Sequence, residues 1–127
     1  MEEQSKKIAL LILNWNGVKL LEKYLPSVVK YNSSDAEIIV IDNASEDNSI
    51  LFLKNTYPDI KRIEFKENYG FAKGYNKAIN LIPHQYVVLL NSDELASLIL
   101  VIFLAASITA SCIPKQIPKY GILLILA

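Results

Sequence analysis

The chain has 127 residues, 52% apolar and 20% charged, with thirteen basic and thirteen acidic side chains that cancel to a formal net charge of +0. That length suits one domain with a sound core rather than two, and the absence of a basic stripe argues against a nucleic-acid partner. A single cysteine, Cys112, and a single histidine, His84, exclude an internal disulfide framework and a zinc site built on either residue type.

The first residues carry Glu2 and Glu3 where a signal peptide carries bases, and no small-residue cleavage site follows, so a cytosolic start is expected. Asn32-Ser33-Ser34 and Asn43-Ala44-Ser45 match the glycosylation sequon, a short pattern that matters only in a secreted protein. Residues 8–13 form a continuous apolar run of strand length, suited to burial on both faces. From Val18 to Tyr31 the residues Leu20, Leu21, Tyr24, Leu25, Val28 and Val29 fall at helical spacing. Asn16 and Gly17 are placed to cap that helix, and Pro26 interrupts its hydrogen bonds and is expected to kink it.

Residues 37–41 read as a second strand. Ser45-Glu46-Asp47-Asn48-Ser49 is rich in helix-starting residues, and a short helix over 50–56 ends near Pro58. A third strand is expected over 60–65. Phe71, Tyr75, Ala78, Ile79 and Ile82 mark one face of a third helix, stopped by Pro83, and a fourth strand covers 86–90. The order β-α-β-α-β-α-β, with strands spaced as right-handed crossovers require, predicts a three-layer α/β/α fold around a mostly parallel sheet.

Each strand ends in a polar cluster: Asn14-Trp15-Asn16-Gly17, Asp42-Asn43-Ala44-Ser45, Asn68-Tyr69-Gly70-Phe71 and Asn91-Ser92-Asp93. In a parallel sheet all four open onto one edge, where open α/β folds bind ligands. A carboxylate there can accept from the imide N–H of a uracil- or thymine-type base, which makes Asp42 the candidate base reader; the alternative is a cap for the next helix. Asp93 is the metal candidate, because magnesium or manganese bound through one or two carboxylates neutralises a diphosphate; alone it also reads as a turn aspartate. Gly70 and Gly74 open the third helix with small residues that would let a sugar or phosphate approach the backbone, or simply make a tight loop and a packing contact. Trp15 either covers a ligand or fills the core, and the core is favoured.

Together these stretches resemble the N-terminal, nucleotide-binding half of a family 2 glycosyltransferase with the GT-A fold, in particular the rhamnosyltransferase-like group. The resemblance rests on Leu13-Asn14-Trp15-Asn16-Gly17, on Val40-Ile41-Asp42-Asn43-Ala44-Ser45-Glu46-Asp47, on Asn68-Tyr69-Gly70-Phe71-Ala72-Lys73-Gly74-Tyr75-Asn76 and on Leu89-Leu90-Asn91-Ser92-Asp93. It implies that Asn14, Trp15, Asn16, Asp42, Ser45, Asn68, Gly70, Gly74, Asn76 and Asn91 line a nucleotide-sugar site for a UDP- or dTDP-type donor. It also implies that Asp93 holds a divalent metal, Mg or Mn, at the family's Asp-x-Asp position, where Asn91 departs from aspartate. The implied reaction is inverting transfer to a hydroxyl of a glycan or lipid-linked acceptor, in the cytoplasm or at the inner face of the membrane.

Residues 1–94 are therefore expected to form the donor-binding half-domain, and 95–127 an apolar tail of another character. All thirteen acids precede residue 95, so the tail offers no general base and the catalytic residues stay unassigned. Residues 95–113 carry no charge and would span about 28 Å as a helix, close to the thickness of a bilayer core. A membrane anchor is one reading. The other, favoured by the abrupt loss of charge and by flanking lysines that would turn the domain away from the cytoplasm, is a frame-shifted continuation of a longer transferase. From a different functional class, a non-catalytic nucleotide-binding or membrane-associated interaction module uses the same half-fold; a phospho-receiver lacks its paired acids here.

Overall fold

The computed structural model describes residues 7–32, 34, 36–91 and 121–123. Along the chain run β1 (Ile8–Asn14), α1 (Val18–Tyr31), β2 (Ala36–Asp42), α2 (Ser49–Thr56), β3 (Lys61–Glu64), α3 (Gly70–Ile79), β4 (Tyr86–Asn91) and β5 (Gly121–Leu123). The strands form one sheet in the order β3-β2-β1-β4-β5, and every neighbouring pair is parallel.

Side-chain alternation sorts the apolar runs between two cores. Ala9, Leu11 and Leu13 of β1 join Ile39, Ile41, Val87 and Leu89 under Tyr75, Ala78 and Ile79 of α3. Leu10 and Ile12 join Ile38, Val40 and Leu90 on the opposite face, against Leu21, Leu25 and Val28 of α1 and Leu53 of α2. The expected three layers are thus present, with α3 on one face and α1 and α2 on the other. Each fully buried Leu or Ile contributes about 1.5–3 kcal/mol relative to exposure, so β1, buried along nearly its whole length, is the central girder.

Helix α1 occupies the predicted residues and runs through Pro26. Pro26 is exposed, so water reaches the carbonyl that its missing N–H leaves unpaired. Helix α3 stops at Ile79, short of Pro83, because the chain tightens there: the Leu81 N–H donates to the Ala78 carbonyl and the Ile82 N–H to that of Ile79. Ile82 remains buried without being helical, and Phe71, assigned to the buried face by spacing, is 46% exposed. Beyond β4 the sheet carries β5, paired at Tyr86–Val88. The boundary at Glu94 lies outside the described residues, and so does the 95–127 tail, read as an anchor or a frame-shifted continuation, apart from 121–123 in β5.

Candidate functional site

The register places three strand ends side by side. Asn14 of β1 pairs with Asp42 of β2, and Leu13 pairs with Asn91 of β4, so Asn14, Asp42 and Asn91 stand at one edge of the sheet. The strand order runs 3-2-1 in one direction and then jumps to β4 on the other side of β1. Such a reversal of strand order is the position at which open α/β sheets take ligands.

Asp42 and Asn43 are adjacent and nearly inaccessible, at 3% and 2% exposure, and they serve opposite faces. The Asp42 carboxylate accepts from Asn14 Nδ2 at 3.1 Å and from the Ser45 N–H at 2.9 Å. Each oxygen retains a lone pair, so the carboxylate both organises its own loop and keeps acceptor capacity. Asn14, fully buried, also donates from Nδ2 to Ser45 Oγ at 3.3 Å, while its Oδ1 has no partner among the described residues. A buried amide oxygen without a protein donor costs free energy and retains its capacity to accept a hydrogen bond.

The loop after β1 is stitched to the loop after β2. The Asn16 N–H donates to Ser45 Oγ at 2.9 Å, and the Glu46 N–H donates to Asn16 Oδ1 at 2.7 Å. Asn16 and Ala44 adopt left-handed backbone conformations, at φ 49° and φ 60°. Asparagine tolerates that region, but alanine does so at a cost of about 1 kcal/mol, so strain is stored at this edge. Asp47 completes the seam: the Val18 N–H donates to Oδ2 and the Ser49 N–H to Oδ1, both at 2.9 Å. Burial alone would raise the Asp47 carboxyl, but hydrogen bonding from Ser49 and from the Val18 N–H outweighs it and holds the group below its ordinary 3.8.

On the α3 side, Asn43 clamps the loop after β3. Its Nδ2 donates to Asn68 Oδ1 at 2.8 Å and to the Gly70 carbonyl at 3.1 Å, and its Oδ1 accepts from the Tyr69 N–H at 2.9 Å. Asn68 Oδ1 also receives the Gly70 N–H at 2.7 Å. Gly70 sits at φ 71° with open space where a Cβ would be, so glycine is required there by the backbone. At Gly74 a Cβ would meet Leu13 Cδ1 at 3.4 Å and the Asn43 amide at 3.6 Å. Its small size therefore serves helix–sheet packing, the second of the two roles considered for it.

Of the expected residues, Asn14, Asn16, Asp42 and Ser45 form one network, and Asn68 and Gly70 form a second through Asn43. Trp15, favoured for the core, is instead 57% exposed on the loop between Asn14 and Asn16, because alternation ends with β1 and the loop turns outward. Asn76 is exposed on α3. Asn91 reaches the shared edge through its backbone, and Asp93 lies outside the described residues. Two further residues hold the site together. Asn43, a motif residue in the sequence, and Asp47, a helix-starting residue there, bond across 25 or more residues of chain, so no local signal marks their roles.

The sequence model for glycosyl transferase family 2 matches residues 10–98. An uncharacterised glycosyltransferase of Nostoc is 31% identical over 91 residues, covering 69% of this chain and 28% of its own length. The poly-β-1,6-N-acetyl-D-glucosamine synthase of Staphylococcus epidermidis is 28% identical over 93 residues, covering 72% and 23%. Among solved structures, a mannosyltransferase of Pyrobaculum calidifontis in complex with GDP-Man and Mn2+ superposes with a TM-score of 0.58 at 24% identity, over 68% of this chain and 27% of that one. TarS residues 1–349 of S. aureus in complex with UDP superposes with a TM-score of 0.60 at 22% identity, over 68% and 27%. These likenesses establish the GT-A fold. The chain spans less than a third of the length of each of these proteins.

Proposed function

Because the chain belongs to glycosyl transferase family 2, we propose that it is the donor-binding half of a transferase that takes a sugar from a nucleoside-diphosphate sugar. The carrying observation is the reversal of strand order between β1 and β4, with Asn14, Asp42 and Asn91 on the one edge that it opens. A UDP- or dTDP-type base fits that edge through its imide N–H on the spare lone pairs of Asp42. Exposed Trp15 supplies a flat apolar face beside it. The GDP-Man, UDP and UDP-GlcNAc complexes of the structural neighbours support a nucleotide-sugar ligand without selecting its base.

The metal belongs to the same proposal. Among the described residues no three acids, histidines or cysteines cluster, and Mg or Mn on a diphosphate needs only one or two carboxylates, the rest coming from phosphate and water. Asp93 follows the edge residue Asn91 by two positions, and a manganese ion accompanies GDP-Man in the Pyrobaculum calidifontis neighbour. Such an ion would supply charge neutralisation for the departing diphosphate. Transfer would be inverting: an acceptor hydroxyl on a glycan or lipid-linked sugar attacks the anomeric carbon as the diphosphate leaves, with the base that takes the hydroxyl proton supplied from outside residues 1–94. The expected setting is the cytoplasm or the inner face of the membrane, where nucleotide sugars are made.

Calorimetry with UDP and dTDP in the presence of manganese tests this reading. Binding to the wild type is expected to weaken in Asp42→Ala and to lose its metal dependence in Asp93→Ala; equal affinity in all three proteins would remove the site assignment. A second reading of the same half-fold is a nucleotide-binding module without catalysis. Binding without any transfer to a glycan or lipid-linked acceptor would select it.

A further inference from the structure

We propose that Asp47 is a positioning residue of the donor site, holding the loop that carries Trp15 in a single conformation; this rests on the donor-site reading above. Helix α1 begins after Gly17 and α2 after Asn48, and neither of those residues makes a side-chain cap bond. One carboxylate takes over for both. Asp47 Oδ2 accepts the Val18 N–H and Oδ1 accepts the Ser49 N–H, so the positive ends of two helices meet on one negative charge.

The geometry extends into a ladder. Ser45 Oγ holds the Asn16 N–H, Asn16 Oδ1 holds the Glu46 N–H, and Asp47 holds the Val18 N–H, so residues 45–47 grip residues 16–18 rung by rung. On the other side of Trp15, Asn14 is fixed by Asp42 and Ser45. Trp15 is thus exposed yet anchored at both flanks. An exposed aromatic on a free loop would lose entropy on meeting a flat ligand, whereas one on a fixed loop is already in place. Asp47 is the last rung and the only charged acceptor in the ladder, so its removal frees the start of α1 and with it the Asn16 turn.

Trp15 is the sole tryptophan, so its emission reports this loop directly. The full chain, Asp47→Asn and Asp47→Ala are compared without nucleotide by fluorescence anisotropy and acrylamide quenching of Trp15, with far-UV circular dichroism to confirm the fold. UDP with manganese is then titrated into each. Asp47→Ala is expected to lower the anisotropy and raise the quenching constant. If the loop is then in place about a tenth of the time, apparent UDP affinity falls about tenfold. Asp47→Asn, which keeps an acceptor for one helix start, is expected to fall between the two.

Trp15 signals identical to wild type in the folded variants overturn the proposal. If Asp47→Ala does not fold, an unchanged signal in Asp47→Asn overturns it. Loosened Trp15 with unchanged UDP affinity overturns the positioning role and leaves the donor site intact. A wild type that binds no UDP, while Asp47→Ala still loosens Trp15, overturns the donor-site reading and with it the role of Asp47 there, leaving only a structural latch.

Discussion

Asn43 offers the sharpest test of how the β3–α3 loop is held. Truncation to alanine removes three hydrogen bonds, to Asn68 Oδ1, the Gly70 carbonyl and the Tyr69 N–H. Each net bond is worth about 0.5–1.5 kcal/mol, and its former partners lie at half-exposed or exposed residues that water can reach, so Asn43→Ala should cost about 2–3 kcal/mol. Asn43→Asp should be worse, although it is nearly isosteric. It keeps the bond from Tyr69 but turns two donor contacts, at 2.8 Å and 3.1 Å, into oxygen against oxygen. It also adds a charge at a site 2% exposed. A flip of the Asn68 amide would relieve one contact only by surrendering the Gly70 N–H bond at 2.7 Å. The aspartate variant is therefore expected to lie at least about 1 kcal/mol below the alanine variant. Urea unfolding followed by Trp15 emission, with equal m-values across the series, measures the order. An aspartate variant as stable as the alanine variant, or an alanine cost under about 0.5 kcal/mol, would refute the clamp.

Four further outcomes follow from the geometry. Gly70→Ala forces an alanine into φ 71° and should cost about 1 kcal/mol, whereas Gly70→Asn should cost less; thermal melts compare them. Gly74→Ala meets neighbours at 3.4 Å or more, so tight contact and improved helix propensity should nearly cancel, leaving stability within about 1 kcal/mol of wild type, while Gly74→Leu should unfold the start of α3. Pro26→Ala restores a backbone hydrogen bond in the exposed middle of α1 and should stabilise by about 1–3 kcal/mol in urea. Because the folded Asp47 carboxyl lies below 3.8, its contribution to stability is complete above that value and is lost as pH falls through the folded one; Asp47→Asn should flatten the acid limb of stability against pH below about 4 and leave its slope at pH 7 unchanged.

The elements were legible because their signals were local and strong. Residues 8–13 are apolar without interruption, so a strand buried on both faces was the natural reading, and the heptad-like spacing of Leu21, Leu25 and Val28 marked α1 despite Pro26. Periodicity failed where the backbone changed state while burial continued. Ile82 keeps its place in the core from a turn, and Phe71 and Trp15 are large apolar residues at element ends, where neither helical nor strand phase governs direction. The polar strand ends were legible as a set because a parallel sheet must bring them to one edge. Their internal wiring was not. The bond from Asn43 to Asn68 joins loops that the Asp42–Glu64 register brings within reach, and the bond from Val18 to Asp47 joins loops brought together by the Asn14–Asp42 register.

The middle position of β1 also governs the timetable of assembly. Its first edge is closed by β2 from Ala36 onward and its second only by β4 from Tyr86. Ribosomes add about 5–20 residues per second, so the interval of roughly fifty residues leaves the hydrophobic centre half-dressed for several seconds during synthesis. During that window the nascent chain presents a bare, unpaired ladder of backbone donors and acceptors, the form in which a polypeptide most needs a chaperone.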